Sequence, residues 1–234
     1  MNILSVDSST SVATVALLNE NGILGEYTLN YKKQHSVLLL PMIDRLLNDN
    51  NLNMKDMDGF VVSKGPGSFT GLRIGLATIK GMCFGTNKPF VSVSNLDGLA
   101  YNVINFNGVI CPVMDALRGN VYTALYKNIN GNLTKLTDYL IISLDELSSL
   151  LKEYDEPVLF IGDGTIKYKV ELKNLKKEVV FPPLHLNYTR ASSLGELGLY
   201  KLLNGEREDI NNSTPLYLRK SQAEREYERK LGLE

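Results

Sequence analysis

A glycine-rich helix constrains this chain more than any other stretch. The apolar run Gly59 to Val62 feeds the loop Lys64-Gly65-Pro66-Gly67-Ser68, and a segment apolar nearly all round follows, with glycines at 71, 75, 81 and 85. Each glycine inside a helix costs about 1 kcal/mol relative to alanine. Close approach to another element, another chain or a ligand must offset that cost. The loop departs from the nucleotide-binding patterns: no Gly-Lys-Ser/Thr follows its spacer, and Thr70 stands where a dinucleotide loop needs its last glycine. Backbone N–H groups at the helix start remain available to an anion, but Phe69 suits packing better than a phosphate cradle.

The 234 residues, 44% hydrophobic and 22% charged, are enough for one large domain or two small ones. A formal net charge of −1 gives no general attraction to nucleic acid or an anionic membrane. Cys83 and Cys111 lie in apolar surroundings without metal-like spacing and read as reduced core thiols. Met1 to Thr10 has neither a basic region nor a long apolar core, and no run approaches the ~18 apolar residues of a membrane span. A soluble, cytoplasmic protein is the expectation.

The pattern along the chain repeats. Residues 2–7, 12–18 and 23–30 read as an antiparallel meander, followed by a helix over 34–47 in which Pro41 predicts a kink or a later start. A strand at 59–63, the glycine helix, a strand at 89–94 and a short helix over 96–104 complete the series. The order begins again at Val109, with strands at 109–114, 120–126 and 134–142. Next come a helix capped by Ser143 and Glu146, a strand at 158–161, Gly162-Asp163-Gly164, and a short strand at 179–181. This predicts two related α/β lobes, 1–106 and 107–234. The second carries a helix over 190–203 and a charged helix over 220–230, with a C-terminal helix packing back on the first lobe.

Chemistry has few places to sit. Asp7 and Asp115 each end the first strand of a lobe, before Ser8-Ser9-Thr10 and a glycine-containing turn, and suit Mg²⁺-nucleotide binding across a cleft; each also suits a plain turn cap. His35 and His185 are the only histidines and have no acid cluster beside them, so no metal site is expected. Arg73 and Arg118 read as solvated or carboxylate-paired.

Asp7-Ser8-Ser9-Thr10, His35-Ser36 with Leu39-Leu40-Pro41, Gly65 through Gly81, Asp115 through Tyr122, Gly162-Asp163-Gly164 and Pro215 through Arg219 occur in one order. In that order they resemble the TsaB (YeaZ, glycoprotease-like) family nearly end to end. The resemblance implies an actin-like fold of two mixed-sheet lobes. It implies a non-catalytic scaffold that binds and activates the TsaD-type threonylcarbamoyltransferase in modification of the tRNA adenosine next to the anticodon. It also implies a TsaE-type ATPase partner, a homodimer when alone, tRNA as substrate of the complex, and no cofactor of its own, with ATP and Mg²⁺ acting at the level of the complex. The catalytic relative's His-x-x-x-His metal pair aligns with Asn95 and Leu99, which cannot replace two imidazoles.

On that basis the partner interface is expected at Leu39, Leu40, Ile43, Leu47, Leu72, Leu76, Ala77, Ile79, Lys80, Gly81 and Met82. The alternative is an actin-like small-molecule kinase or ATPase using Asp7 and Asp115, with Ser9, Thr10, Gly162 and Gly164 around the nucleotide. Ser9 replaces the glycine such kinases carry there, which counts against tight ATP binding. A metalloprotease reading rests on the old family name alone.

Overall fold

The computed structural model describes residues 1–31 and 35–219; the charged helix expected over 220–230 lies outside them. Strands β1 (Ile3–Asp7), β2 (Ala13–Asn19) and β3 (Gly22–Leu29) form the meander, and helix α1 (His35–Asp49) follows. Then come β4 (Gly59–Gly65), α2 (Phe69–Thr86), β5 (Phe90–Ser94) and α3 (Asn95–Tyr101). The second series runs β6 (Val109–Asp115), β7 (Asn120–Thr123), β8 (Tyr126–Ile129), β9 (Asn132–Lys135), β10 (Leu140–Ser143) and α4 (Leu144–Leu151). It ends with β11 (Val158–Ile161), α5 (Gly164–Lys167), α6 (Lys169–Lys173), β12 (Val179–Val180) and α7 (Ala191–Leu203).

The doubled element order is a doubled topology. The first sheet is ordered β3-β2-β1-β4-β5 and the second β10-β7-β6-β11-β12, so each places its first strand centrally, its meander to one side and its parallel strands to the other. β1 is antiparallel to β2 and parallel to β4, as β6 is antiparallel to β7 and parallel to β11. The central strands are buried, apart from half-buried Lys64 near the end of β4, because helices cover both faces.

Two expected strands are each broken. The runs 120–126 and 134–142 split into β7 and β8, and β9 and β10, with 124–125 on one side facing 136–139 on the other. The longer side bulges, tied by Leu136 N–H to the Leu125 carbonyl at 2.7 Å and by Leu125 N–H to Thr137 Oγ1 at 3.0 Å. The bulge carries Tyr139 to the first lobe, where its hydroxyl and that of Tyr126 each donate to Asp97 at 2.7 Å.

Pro41 does not delay α1. The helix runs through it, with Pro41 and Val37 both exposed, so the carbonyl left without an N–H partner lies on the solvent side. Leu39, Met42, Ile43, Leu46 and Leu47 face the core shared with Phe60, Val62, Ile79 and Cys83. The opposite face of the same sheet is covered by α7, which follows the second sheet in sequence; Leu194, Leu199 and Leu202 pack on Ile3, Val61, Val91 and Val93.

Candidate functional site

The turn after β1 and the glycine loop form one buried knot. Asp7 Oδ1 accepts the Ser9 N–H at 2.9 Å, and Thr10 Oγ1 closes its own turn on the Val12 backbone. Ser9 O accepts the Ser68 N–H at 2.6 Å, and the Ser8 hydroxyl donates to the Gly71 carbonyl at 2.9 Å. Such contacts need bare backbone. A Cβ on Gly71 would stand 2.0 Å from Ser8 O, and one on Gly67 2.5 Å from Ser9 O.

Asn95 ties the knot together. Its Oδ1 accepts from Ser63 Oγ at 2.5 Å, and its Nδ2 donates to Ser9 Oγ and, at 3.0 Å, to the Pro66 carbonyl. Leu99 packs with Leu96, Ile110, Met114 and Tyr126. Asn95 is therefore a structural amide and Leu99 a core side chain. Among the described residues, no group of three or more His, Cys, Asp or Glu could hold a metal ion.

In the second lobe, Asp115 Oδ2 pairs with Lys167 Nζ at 2.7 Å, while Oδ1 accepts the Leu117 N–H at 3.0 Å and the Tyr168 hydroxyl at 3.1 Å. Partial burial would raise the Asp115 carboxyl, but these donors outweigh it and hold its pKa below the usual aspartate value. Asp163 accepts the Asp115 N–H at 3.2 Å; burial, with the nearby Asp115 charge, pushes its carboxyl up. Gly162, at φ +117°, and Gly164 lie against the Val113 carbonyl, where a Cβ would come within 2.4 and 2.8 Å. Their missing side chains let the backbone pack closely against β6.

One crevice between the lobes is narrow. The crevice lined by Thr10, Ser11, Leu99, Met114, Asp163, Asn187, Tyr188 and Thr189 encloses about 10 Å³, roughly the space one water needs. Asp115 is turned to its lysine.

The expected partner face divides in two. Leu39, Ile43, Leu47, Leu72 and Ile79 are buried in the first lobe's own core, Leu76 and Met82 pack partly against it, and Lys80 donates to the Ser213 carbonyl at 2.9 Å. Leu40, Ala77 and Gly81 are exposed, together with Val37, Phe84 and Gly85, of which Phe84 is 68% exposed. Among the described residues nothing lies within 4 Å of a Cβ added at Gly81 or Gly85.

Sequence reasoning missed three features. Asn95 reads as a lost ligand, yet it is a hub. Gly195 and Gly198 let α7 touch the sheet, with hypothetical Cβ positions 2.5 Å from Leu18 and 2.3 Å from Val61; their spacing in an apolar helix is the signal that was there. The segment 204–219 straps the first lobe. Glu208 N–H donates to the Phe90 carbonyl at 3.0 Å, its carboxylate accepts from Ser92 N–H at 2.7 Å, and Leu216 N–H reaches the Lys64 carbonyl at 2.7 Å.

Two lobes of one topology, each with a central first strand, a meander on one side and parallel strands on the other, are the actin-like fold. A solved activator of 2-hydroxyisocaproyl-CoA dehydratase from Clostridium difficile shares it, at TM-score 0.53 and 12% identity over 89% of this chain and 99% of that one. A family model described as "TsaD: tRNA N6-adenosine threonylcarbamoyltransferase" matches residues 22–227. The structure of YeaZ from Pseudomonas aeruginosa superposes at TM-score 0.79 with 24% identity, covering 93% of this chain and 99% of that one. The tRNA threonylcarbamoyladenosine biosynthesis protein TsaB of Bacillus subtilis (strain 168) is 38% identical over 225 residues, 96% of either chain. The chain belongs to the TsaB family.

Proposed function

We propose that this chain is a non-catalytic scaffold and activator in threonylcarbamoyladenosine modification of tRNA, binding a TsaD-type catalytic relative through the exposed faces of α1 and α2. One observation carries the reading: Gly67 and Gly71 are explained by contact with the Ser8–Ser9 turn, whereas Gly81 and Gly85 touch nothing of the described chain. Beside them stand Ala77, Phe84, Val37 and Leu40, all exposed. A bare, partly apolar helix face of this kind suits a partner helix at close range. The buried roles of Asn95 and Leu99 support leaving catalysis, and its metal, to the relative. A homodimer over the same face when the chain is alone, and a TsaE-type ATPase bringing ATP and Mg²⁺ to the assembled complex, complete the proposal.

The test follows from the open space at Gly81. Gly81→Trp and Gly85→Arg meet no neighbour within the chain, so thermal stability should stay near that of the parent while co-purification with the catalytic relative is lost. Light scattering on the chain alone should show the same substitutions turning dimer to monomer. Retained co-purification with both substitutions present would remove α2 from the interface.

A further inference from the structure

Three arginines around the start of α2 have no carboxylate partner among the described residues. Arg73 lies 3.9 Å over the Phe69 ring and donates through Nε to the Tyr217 hydroxyl at 3.1 Å. The Phe69 and Tyr217 rings stand 4.8 Å apart, tilted by 30°. Arg219 donates through Nη1 to the Ala116 carbonyl at 2.6 Å, which fixes it beside the turn that carries exposed Arg118. Arg45 and Arg190, by contrast, each face a carboxylate. The neighbouring acid, Asp115, is already engaged by Lys167, Leu117 N–H and Tyr168.

A chain of net charge −1 thus gathers three guanidinium groups without carboxylate partners, with exposed Arg73 and Tyr217 and half-buried Phe69 between them. The amino end of α2, eighteen residues long, adds its partial positive charge at Phe69. Phosphates are matched by carboxylate-free arginines, and unpaired bases by flat aromatic and guanidinium surfaces. A protein surface of acidic residues would use the charges but not the planes.

We propose that this face, formed by Phe69, Arg73, Arg118, Tyr217 and Arg219, binds an unpaired stretch of RNA; the inference rests on the reading that the chain serves tRNA modification. Arg118 and Arg219 meet phosphates, and Tyr217 with the Arg73 guanidinium receives a base. Arg73 is held in plane by the Phe69 ring and the tyrosine oxygen, so the platform is set before RNA arrives.

The test uses the full chain, alone and with its catalytic relative, and a short RNA stem–loop whose unpaired loop carries 4-thiouridine. Crosslinks should map to Phe69, Arg73 or Tyr217. Arg118→Gln should weaken binding about three- to tenfold and reduce the slope of log affinity against log salt by about 1. Arg73→Lys should keep the slope and lower the crosslink yield. Crosslinks confined to other surfaces, no binding by the complex, or an unchanged slope with Arg118→Gln would overturn the assignment. Loss of co-purification in these variants would make the face a protein contact and overturn it equally. Co-purification of the parent pair reads the scaffold role separately, so the two ideas fail by different results.

Discussion

The Ser8 carbonyl oxygen lies where a side chain on Gly71 would begin, 2.0 Å from a Cβ placed there, and the Ser8 hydroxyl donates back to the Gly71 carbonyl at 2.9 Å. The strand-end turn and the glycine helix are therefore in backbone contact. Gly71→Ala must push them apart and loosen the contacts of Ser9 and Asn95 beside them. A loss of about 3 kcal/mol or more is expected, at the upper end of single substitutions. Gly81→Ala, nearly three turns on, gains helix propensity without meeting a neighbour and should stabilise by about 0.5–1 kcal/mol. Urea unfolding of the two variants checks the contrast; similar losses in both would refute it.

That contrast also marks how far the sequence could be read. The glycine helix, the meander and the repeat of element order follow from punctuation and periodicity, which are local. The Ser143–Glu146 box forms as the spacing predicts, with Glu146 N–H on Ser143 Oγ at 3.2 Å and the Ser143 N–H on the Glu146 carboxylate at 2.7 Å. What escaped depends on distant partners. Four glycines at helical spacing look alike, yet two face a serine turn more than sixty residues earlier and two face open space. The breaks at 124–125 and 136–139 exist to deliver Tyr139 to Asp97, and no pattern within either run announces that. The buried half of the expected partner face was misplaced for a related reason: leucines on one helix show its apolar stripe without showing what covers it.

Asn95 is 0% exposed and serves Ser63, Ser9 and Pro66 at once. Asn95→Ala would leave the Ser63 and Ser9 hydroxyls and the Pro66 carbonyl short of partners in a buried site. Each such group costs about 1–3 kcal/mol, so a loss of about 3 kcal/mol or more is expected. Asn95→His should be no kinder, since the cavity is cut for an amide and Leu99 offers no second ligand. Chemical denaturation measures the first effect. Metal analysis of the histidine variant measures the second, and stoichiometric zinc or iron in it would contradict the structural role given to this pair.

The two second-lobe aspartates should respond to acid in opposite directions. Asp115 titrates below its ordinary value, so its stabilisation is present above the unfolded-state pKa and is lost as pH falls through the depressed native one. Asp163 titrates above its ordinary value, chiefly through burial, so its ionised form weakens the native state at neutral pH and protonation relieves the penalty. Asp163→Asn keeps an acceptor for the Asp115 N–H and removes the buried charge. It should raise the unfolding midpoint at pH 7, with the gain shrinking toward pH 4. A lower midpoint at pH 7 would refute the assignment.

Both thiols should be silent in the native protein. Burial pushes Cys83 up to about 11 and Cys111 up to about 12, and neither has an exposed surface from which to react. A disulfide-exchange reagent at pH 8 should therefore modify both cysteines only at the rate of unfolding, and in urea should modify them at once. Fast labelling of Cys83 in the folded chain would show that the α2 face opens locally.

Glu26 ties the edge strand of the first sheet to the start of α7. From β3 its carboxylate, with the side chain 9% exposed, accepts from Arg190 and, through Oε1, from the Ser192 N–H at 3.0 Å and hydroxyl at 2.8 Å. Arg190, at the N-cap position of α7, makes no side-chain cap of its own, so a glutamate more than 160 residues earlier supplies the anion that the helix start favours. Glu26→Gln keeps the shape but loses the charge against both the guanidinium and the helix end. A loss of about 1–3 kcal/mol is expected, from the charge-assisted bonds that Glu26 accepts. Arg190→Ala should cost less in the Glu26→Gln background than in the parent, because the two changes remove one shared interaction. Since α7 lies along β1, β2, β4 and β5, amide exchange should quicken first in its opening turn, at 191–194, with the β4 amides still protected. Strictly additive losses in the double variant, or unchanged exchange in that turn, would show α7 held by its apolar face alone.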